Sequence, residues 1–159
     1  MNHEEFQRCV RELGPHRALQ ASDTIEDALE LQVQDSVLCL EWNEDAQRLE
    51  ITLPLPELLG EDGPDALHLR LCRALLAWQW VEAAQPHHLR FGELGAHGQI
   101  VGLASVQPEH LRSPGHLDAA LLQVHDGLRG AWLQLGAQVL AEAVDLAHHA
   151  PPRAGLGAA

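Results

Sequence analysis

Residues 29–55, LELQVQDSVLCLEWNEDAQRLEITLPL, decide the fold of this chain. Apolar and polar residues alternate over residues 29–33 and 49–55, with the two-residue period of a strand that buries one face, and an apolar run lies between them. Asp35-Ser36 and residues 43–46 have the composition of tight turns. The stretch therefore predicts three consecutive antiparallel strands.

Helices and two further strands surround this stretch. Apolar residues recur at three- and four-residue spacing over residues 2–13, 65–84 and 117–144, which predicts three helices. Extended apolar segments follow the second helix at residues 89–91 and 100–106, and a hairpin turn is expected between them at Gly92, Gly95 and Gly98. Residues 14–28 are predicted as a connector and residues 108–115 as a loop. The resulting order, α-β-β-β-α-β-β-α, predicts an α+β fold in which three helices pack on an antiparallel five-stranded sheet.

The length of the chain predicts a single domain. A chain of 159 residues with 46% hydrophobic residues is long enough for one core. We assign residues 1–150 to this domain. Residues 151–159 contain mainly Pro, Ala and Gly, so little burial would compensate their ordering, and we expect a disordered tail.

The composition excludes several classes of function. The formal net charge is −13 and every basic residue is Arg, and such a negative field disfavours nucleic-acid binding. Cys9, Cys39 and Cys72 show no zinc-binding spacing and have the apolar surroundings of free thiols in a reducing compartment. No apolar run reaches the ~18 residues of a membrane span. We expect a soluble, cytoplasmic protein without membrane insertion.

The sequence gives no sign of catalytic chemistry. Its 11 histidines include two adjacent pairs, His87-His88 and His148-His149, but adjacent residues point to different sides of a strand or helix and make poor ligand pairs. No serine lies in the G-x-S-x-G context of a nucleophile elbow. We therefore predict no enzyme, no metal and no cofactor, and we keep a His-dependent metal protein or small hydrolase as an alternative.

The second predicted helix has more apolar surface than one sheet can cover. Its apolar residues, Trp78 and Trp80 among them, surround most of the helix, and a helix of this kind has to be covered on two sides. Tryptophan is also enriched at protein interfaces. We therefore expect the outer side of this helix to contact a second copy of the chain.

The order of these segments resembles that of the class I type III secretion chaperones, the CesT-like family. The resemblance extends from about Glu4 to Val144. The segments that carry it are LELQVQDSVLCLEW (29–42), RLEITLPLPELLG (48–60), DALHLRLCRALLAWQW (65–80), LRFGELGAHGQIVGLASV (89–106) and LRSPGHLDAALLQVHDGLRGAW (111–132).

The resemblance implies a homodimer that binds the N-terminal region of secreted effector proteins and keeps them soluble and secretion-competent. By element, it assigns five residues to the dimer interface: Leu71, Leu75, Trp78, Leu89 and Phe91. Five others become candidates for effector binding, with the alternative that half of them belong to the core: Phe6, Val10, Val37, Trp42 and Ile51. The effector, the number of effectors, the open face of the sheet and docking on the secretion ATPase stay undetermined. An interaction or assembly module outside secretion is the second hypothesis.

Overall fold

The computed structural model describes residues 3–13, 19–20, 28–58, 65–81, 87–94 and 99–149. The predicted tail, residues 151–159, and most of the connector between the first helix and the first long strand lie outside these ranges. The helices are α1 (His3–Leu13), α2 (Asp65–Val81) and α3 (Pro114–His149), and a short 3-10 helix spans Pro108–His110. The strands are β1 (Leu19–Gln20), β2 (Ala28–Val33), β3 (Ser36–Asn43), β4 (Arg48–Pro54), β5 (Arg90–Leu94) and β6 (Gln99–Val106).

The sheet is antiparallel and has the strand order β1-β2-β3-β4-β6-β5. The predicted α+β fold and the order of its elements are confirmed. The structure adds one feature, because Leu19 and Gln20 pair with Leu31 and Glu30 to form a two-residue edge strand, β1, inside the predicted connector. Strand β5 forms the other edge.

The helices cover one face of the sheet. Leu31 of β2, Leu40 of β3, Ile51 of β4 and Ala104 of β6 point to this face and are 0–1% exposed. The pairs Leu40–Ile51 and Ile51–Ala104 lie directly opposite each other in the ladders, so the apolar period of each strand is in register with the next. Their side chains belong to the same buried cluster as residues of all three helices.

Helix α3 is capped by Ser113. The Ser113 hydroxyl accepts a hydrogen bond from the backbone N–H of His116 at 3.3 Å, and Pro114 occupies the first helical position, where its missing N–H costs nothing. The helix therefore begins at Pro114, inside the loop predicted for residues 108–115. Its length of 36 residues corresponds to about 54 Å.

Two glycines allow close packing on the sheet. A Cβ added at Gly102 of β6 would lie 2.8 Å from the Leu128 side chain of α3, so the absence of a side chain lets the helix approach the strand. Gly92 was expected in a hairpin turn, but it lies within β5 and packs against Leu103. The other two glycines of that expected turn, at positions 95 and 98, lie outside the described residues.

Candidate protein-interaction surfaces

Most residues predicted to bind an effector lie in the core of the single chain. Phe6 and Val10 of α1, Trp42 of β3 and Ile51 of β4 are 1–4% exposed, and the Phe6 ring stacks on Trp42 at 5.8 Å between centroids. The physical reason is that α1 and the strands direct these side chains to the covered side of the sheet. Of the five, Val37 alone is half-buried and reaches the surface.

The residues predicted for the dimer interface also pack within the chain. Leu71 and Leu75 of α2, and Leu89 and Phe91 near β5, are 2–8% exposed. Half-buried Trp78 contacts Phe91 with ring centroids 5.2 Å apart. These side chains pack α2 against β5 and α3. A partner that contacts α2 therefore has to bind to the opposite side of this helix.

That opposite side of α2 is apolar and exposed. We define the outer α2 face as Leu69, Leu76, Trp80 and Val81, which are 53%, 65%, 87% and 75% exposed. Leu69, Leu76 and Trp80 follow each other after seven and four residues, which places them along one side of a helix. The sequence showed this spacing, but a helix that is apolar nearly all round does not reveal which side its own chain covers.

The second face of the sheet has no helix on it in the described part of the chain. Its centre carries half-buried side chains from three strands, Val37 and Cys39 of β3, Thr52 of β4 and Leu103 of β6. Burial raises the pKa of the Cys39 thiol, and the neighbouring Glu30 and Glu41 raise it further, so the thiol stays protonated and unreactive at neutral pH.

A group of charged residues lies next to this open sheet face. Glu50 of β4 accepts a hydrogen bond from the Ser105 hydroxyl at 2.7 Å. The same carboxylate lies 2.6 Å from Arg48 Nε and 3.9 Å from Arg90 Nη2. These contacts join three strands, β4, β5 and β6, and leave the open sheet face with mixed polar and apolar character.

A polar clasp joins the β2–β3 hairpin to α3. The buried ring of His125 lies with Nδ1 2.9 Å from Asp126 Oδ1 and Nε2 3.2 Å from Ser36 Oγ. Arg129 donates to Asp35 Oδ1 at 2.5 Å and to Ser36 Oγ at 2.9 Å. We call these five residues, Asp35, Ser36, His125, Asp126 and Arg129, the clasp.

The clasp contains a Ser–His–Asp hydrogen-bond chain, but its geometry suits structure rather than hydrolysis. The Ser36 oxygen accepts a hydrogen bond from the Arg129 guanidinium. This bond occupies a lone pair of the oxygen and makes the oxygen a weaker nucleophile. The His125 side chain is only 2% exposed, so the ring has no open approach to the leaving group of a substrate. We interpret the clasp as a link that fixes the hairpin on α3.

The contacts of Asp35 in the clasp lower the pKa of its carboxyl group. Desolvation alone would raise the pKa of its carboxyl group. A hydrogen bond from the Asp35 backbone N–H and the charge and hydrogen bond of Arg129 outweigh this effect and lower the pKa below its usual value. The carboxylate is therefore the form that the folded state favours.

A cleft of about 410 Å³ separates α1 from the segment around the 3-10 helix. It is lined by Glu5, Arg8, Cys9, Pro108, Glu109 and Arg112. The arginines and glutamates balance each other, so the cleft has no excess charge that would select an anionic or a cationic cofactor. Burial raises the pKa of the Cys9 thiol in this cleft, and the negative charge of Glu12 raises it further.

Neither a metal site nor a membrane span is found in the part of the chain that the structure describes. Over those residues, no three His, Cys, Asp or Glu side chains come together as metal ligands. None of the described helices combines the length and hydropathy needed to cross a bilayer. All three cysteines are free.

No family model matches the chain, and no curated protein matches it significantly.

Proposed function

We propose that this protein is a homodimeric, cytoplasmic chaperone of type III secretion effectors, with no catalytic site of its own. The observation that carries the proposal is the outer α2 face, above all Trp80 with 87% of its surface exposed. Exposed apolar surface of this kind is typical of a protein–protein contact. The resemblance of the element order to the class I secretion chaperones supports the rest of the proposal.

The dimer forms through α2 of both copies. The outer α2 face carries one charged side chain, the exposed Arg73 between Leu69 and Leu76, and residues 74–81 carry none. Two copies can therefore approach at the C-terminal part of this face although each has a net charge of −13. Trp80 and Leu76 are large enough to form the centre of an interface, where tryptophan contributes most. The interface is isologous, because the same face of the same helix contributes on both sides.

The effector binds to the open sheet face around Val37, Cys39 and Leu103. The half-buried apolar centre of this face, with charged groups beside it, suits an extended segment that carries apolar side chains at intervals. Phe6, Val10, Trp42 and Ile51 serve instead as the core beneath it. The negative charge of the dimer keeps the empty chaperone soluble.

Co-purification tests the proposal. The tagged protein is isolated from its own organism with its partners, which are identified by mass spectrometry. We expect an N-terminal effector region, and we expect the Leu76→Glu/Trp80→Glu variant to be monomeric. The control His68→Glu places a glutamate at a polar, exposed position of α2, two turns before Leu76, and should stay dimeric. A partner that is never secreted would favour an assembly module, and no partner would refute the proposal.

A further inference from the structure

The one charged side chain of the outer α2 face, Arg73, limits what can cover that face. Arg73 is exposed. Among the described residues, no hydrogen bond or ion pair is found for its guanidinium group, whereas Nη1 of the nearby Arg70 lies 4.0 Å from Glu142 Oε2 of α3. A charge that becomes covered by an apolar partner loses its water and needs a counterpart. The partner of this face therefore has to offer a group that binds a guanidinium.

Such a group is present on the same face of the same helix. Trp80 is 87% exposed, and the face of an indole ring is the best aromatic partner for a guanidinium group. Around the helix, Arg73 and Trp80 lie about 40° and about 20° to the same side of Leu69. Along the helix they are about 10 Å apart. One copy of α2 thus carries both halves of a cation–π contact, spaced so that a second copy can complete it.

An antiparallel pair of α2 helices brings the two halves together. When a two-fold axis relates two antiparallel helices, positions at equal distances on either side of the axis face each other across the copies. The midpoint between positions 73 and 80 lies beside Leu76, which is 65% exposed. With the axis there, Arg73 of each copy faces Trp80 of the other, and the two Leu76 side chains meet at the centre. The face is then complementary to itself.

We propose that α2 pairs in this antiparallel arrangement, with Arg73 of each copy stacked on the Trp80 ring of the other. This inference rests on the dimer of the proposed function and specifies how its two helices pair. It also favours a second copy as the occupant of the face. A purely apolar segment would leave the Arg73 charge without a counterpart, whereas a second copy supplies one for each of the two arginines.

Other pairings of the two helices satisfy Arg73 less well. Asp65 is the only acidic residue of α2 and also its first residue. To place Asp65 opposite Arg73 of the other copy, the axis has to pass at Leu69, midway between them, and Trp80 then lies beyond the beginning of the partner helix. A parallel pair related by a two-fold axis keeps positions 73 and 80 at different levels. Only the axis beside Leu76 joins Arg73 to Trp80.

A charge exchange between two variants tests the pairing. Arg73→Glu places a carboxylate against Trp80 of the partner, and Trp80→Lys places an ammonium group against Arg73 of the partner. Each variant alone should dimerise at least about tenfold more weakly than the wild type. In a dimer with one chain of each kind, the new glutamate faces the new lysine, and the remaining Arg73 faces the remaining Trp80. A mixture of the two variants should therefore dimerise again.

Light scattering reads out this exchange at a concentration where the wild type is dimeric and each variant alone is monomeric. The mixture should give about twice 17.4 kDa. As a control, His68→Glu adds a carboxylate at an exposed position of α2 outside the pair, and mixing it with Trp80→Lys should leave the Trp80→Lys chains monomeric. A mixture of Arg73→Glu and Trp80→Lys that stays monomeric would overturn the inference, and so would equal rescue by the control.

Milder variants give an independent reading that does not depend on new charges. Arg73→Ala should weaken the dimer at least about threefold, and Arg73→Lys, which keeps a cation but loses the planar guanidinium, should lie between Arg73→Ala and the wild type. A dimer of Arg73→Ala as tight as the wild type would overturn the inference.

The two failures are distinguishable. A wild-type protein that is monomeric at every concentration refutes the dimer of the proposed function and this pairing together. If the wild type is dimeric and Leu76→Glu/Trp80→Glu is monomeric, but the charge exchange restores nothing, the dimer through the outer α2 face stands and the pairing of Arg73 with Trp80 is wrong.

Discussion

The two halves of α3 have the same apolar period but different surroundings. In the first half, Leu117, Leu121 and Leu128 are 0–1% exposed beneath the sheet, and His125 ties the helix to the hairpin through the clasp. In the second half, Trp132 and Val139 continue the same buried side, whereas Leu133 and Leu140 lie on another side of the helix and are exposed. Helical spacing therefore identifies the apolar sides of a helix, and the rest of the fold decides which of them is core and which is surface.

The largest expected effect is in the first half, at Leu128. Its side chain is fully buried against Gly102 of β6. Leu128→Ala should lower the free energy of unfolding by about 2–5 kcal/mol, because it removes buried methyl groups and leaves a cavity. Urea denaturation measures this loss. A loss below about 1 kcal/mol would show that α3 is not held closely on the sheet as described.

The clasp should give the next largest effect. His125→Ala removes the ring that joins Asp126 to Ser36. It should cost about 1–3 kcal/mol, because polar groups at the edge of the core lose their partner. Urea denaturation of His125→Ala beside His68→Ala, which changes an exposed histidine of α2, provides the comparison. Equal stability of the two variants would contradict the role of the clasp.

Acid should weaken the clasp through Asp35. Its pKa is lowered in the folded chain, so the carboxylate stabilises the fold above the usual pKa of about 4. This stabilisation is lost as the pH falls from there through the folded-state value. Asp35→Asn should be less stable than the wild type at pH 7, and the difference should shrink below about pH 4. Stability curves of both proteins against pH test this, and a constant difference would refute it.

The smallest effect is expected in the second half of α3. Leu133 is half exposed, so Leu133→Ala removes little buried surface and should cost about 1 kcal/mol or less. Its melting temperature should stay within a few degrees of the wild-type value. A loss as large as that of Leu128→Ala would mean that Leu133 is part of the core.

The order of elements and the strand positions follow from the sequence, because alternation over residues 29–55 fixes both the period and the turns. The sequence does not show which face of the sheet the helices cover. Phe6, Val10, Trp42 and Ile51 were predicted as a binding surface, but alternation identifies a face without showing whether a helix lies on it. Leu71, Leu75 and Trp78 of α2 were predicted at the dimer interface. Their spacing shows that this side of the helix is apolar, but it does not show whether the side packs within the chain or against a second copy.

The clasp was not predictable from local patterns. Ser36 and His125 are 89 positions apart, and Asp35 and Arg129 are 94 positions apart, so no spacing rule connects them. The glycines of α3 are visible in the sequence, but their surroundings are not. Only the structure shows that an added Cβ would meet Leu89 at Gly127 and Leu58 at Gly136, and nothing within 4 Å at Gly130.

The mass of the protein in solution tests the central claim, a dimer through the outer α2 face, most directly. Light scattering over a range of concentrations should give twice the 17.4 kDa of one chain for the wild type and for His68→Glu. It should give a single chain for Leu76→Glu/Trp80→Glu. A wild-type protein that stays monomeric at every concentration, or a double variant that remains dimeric, would contradict the claim.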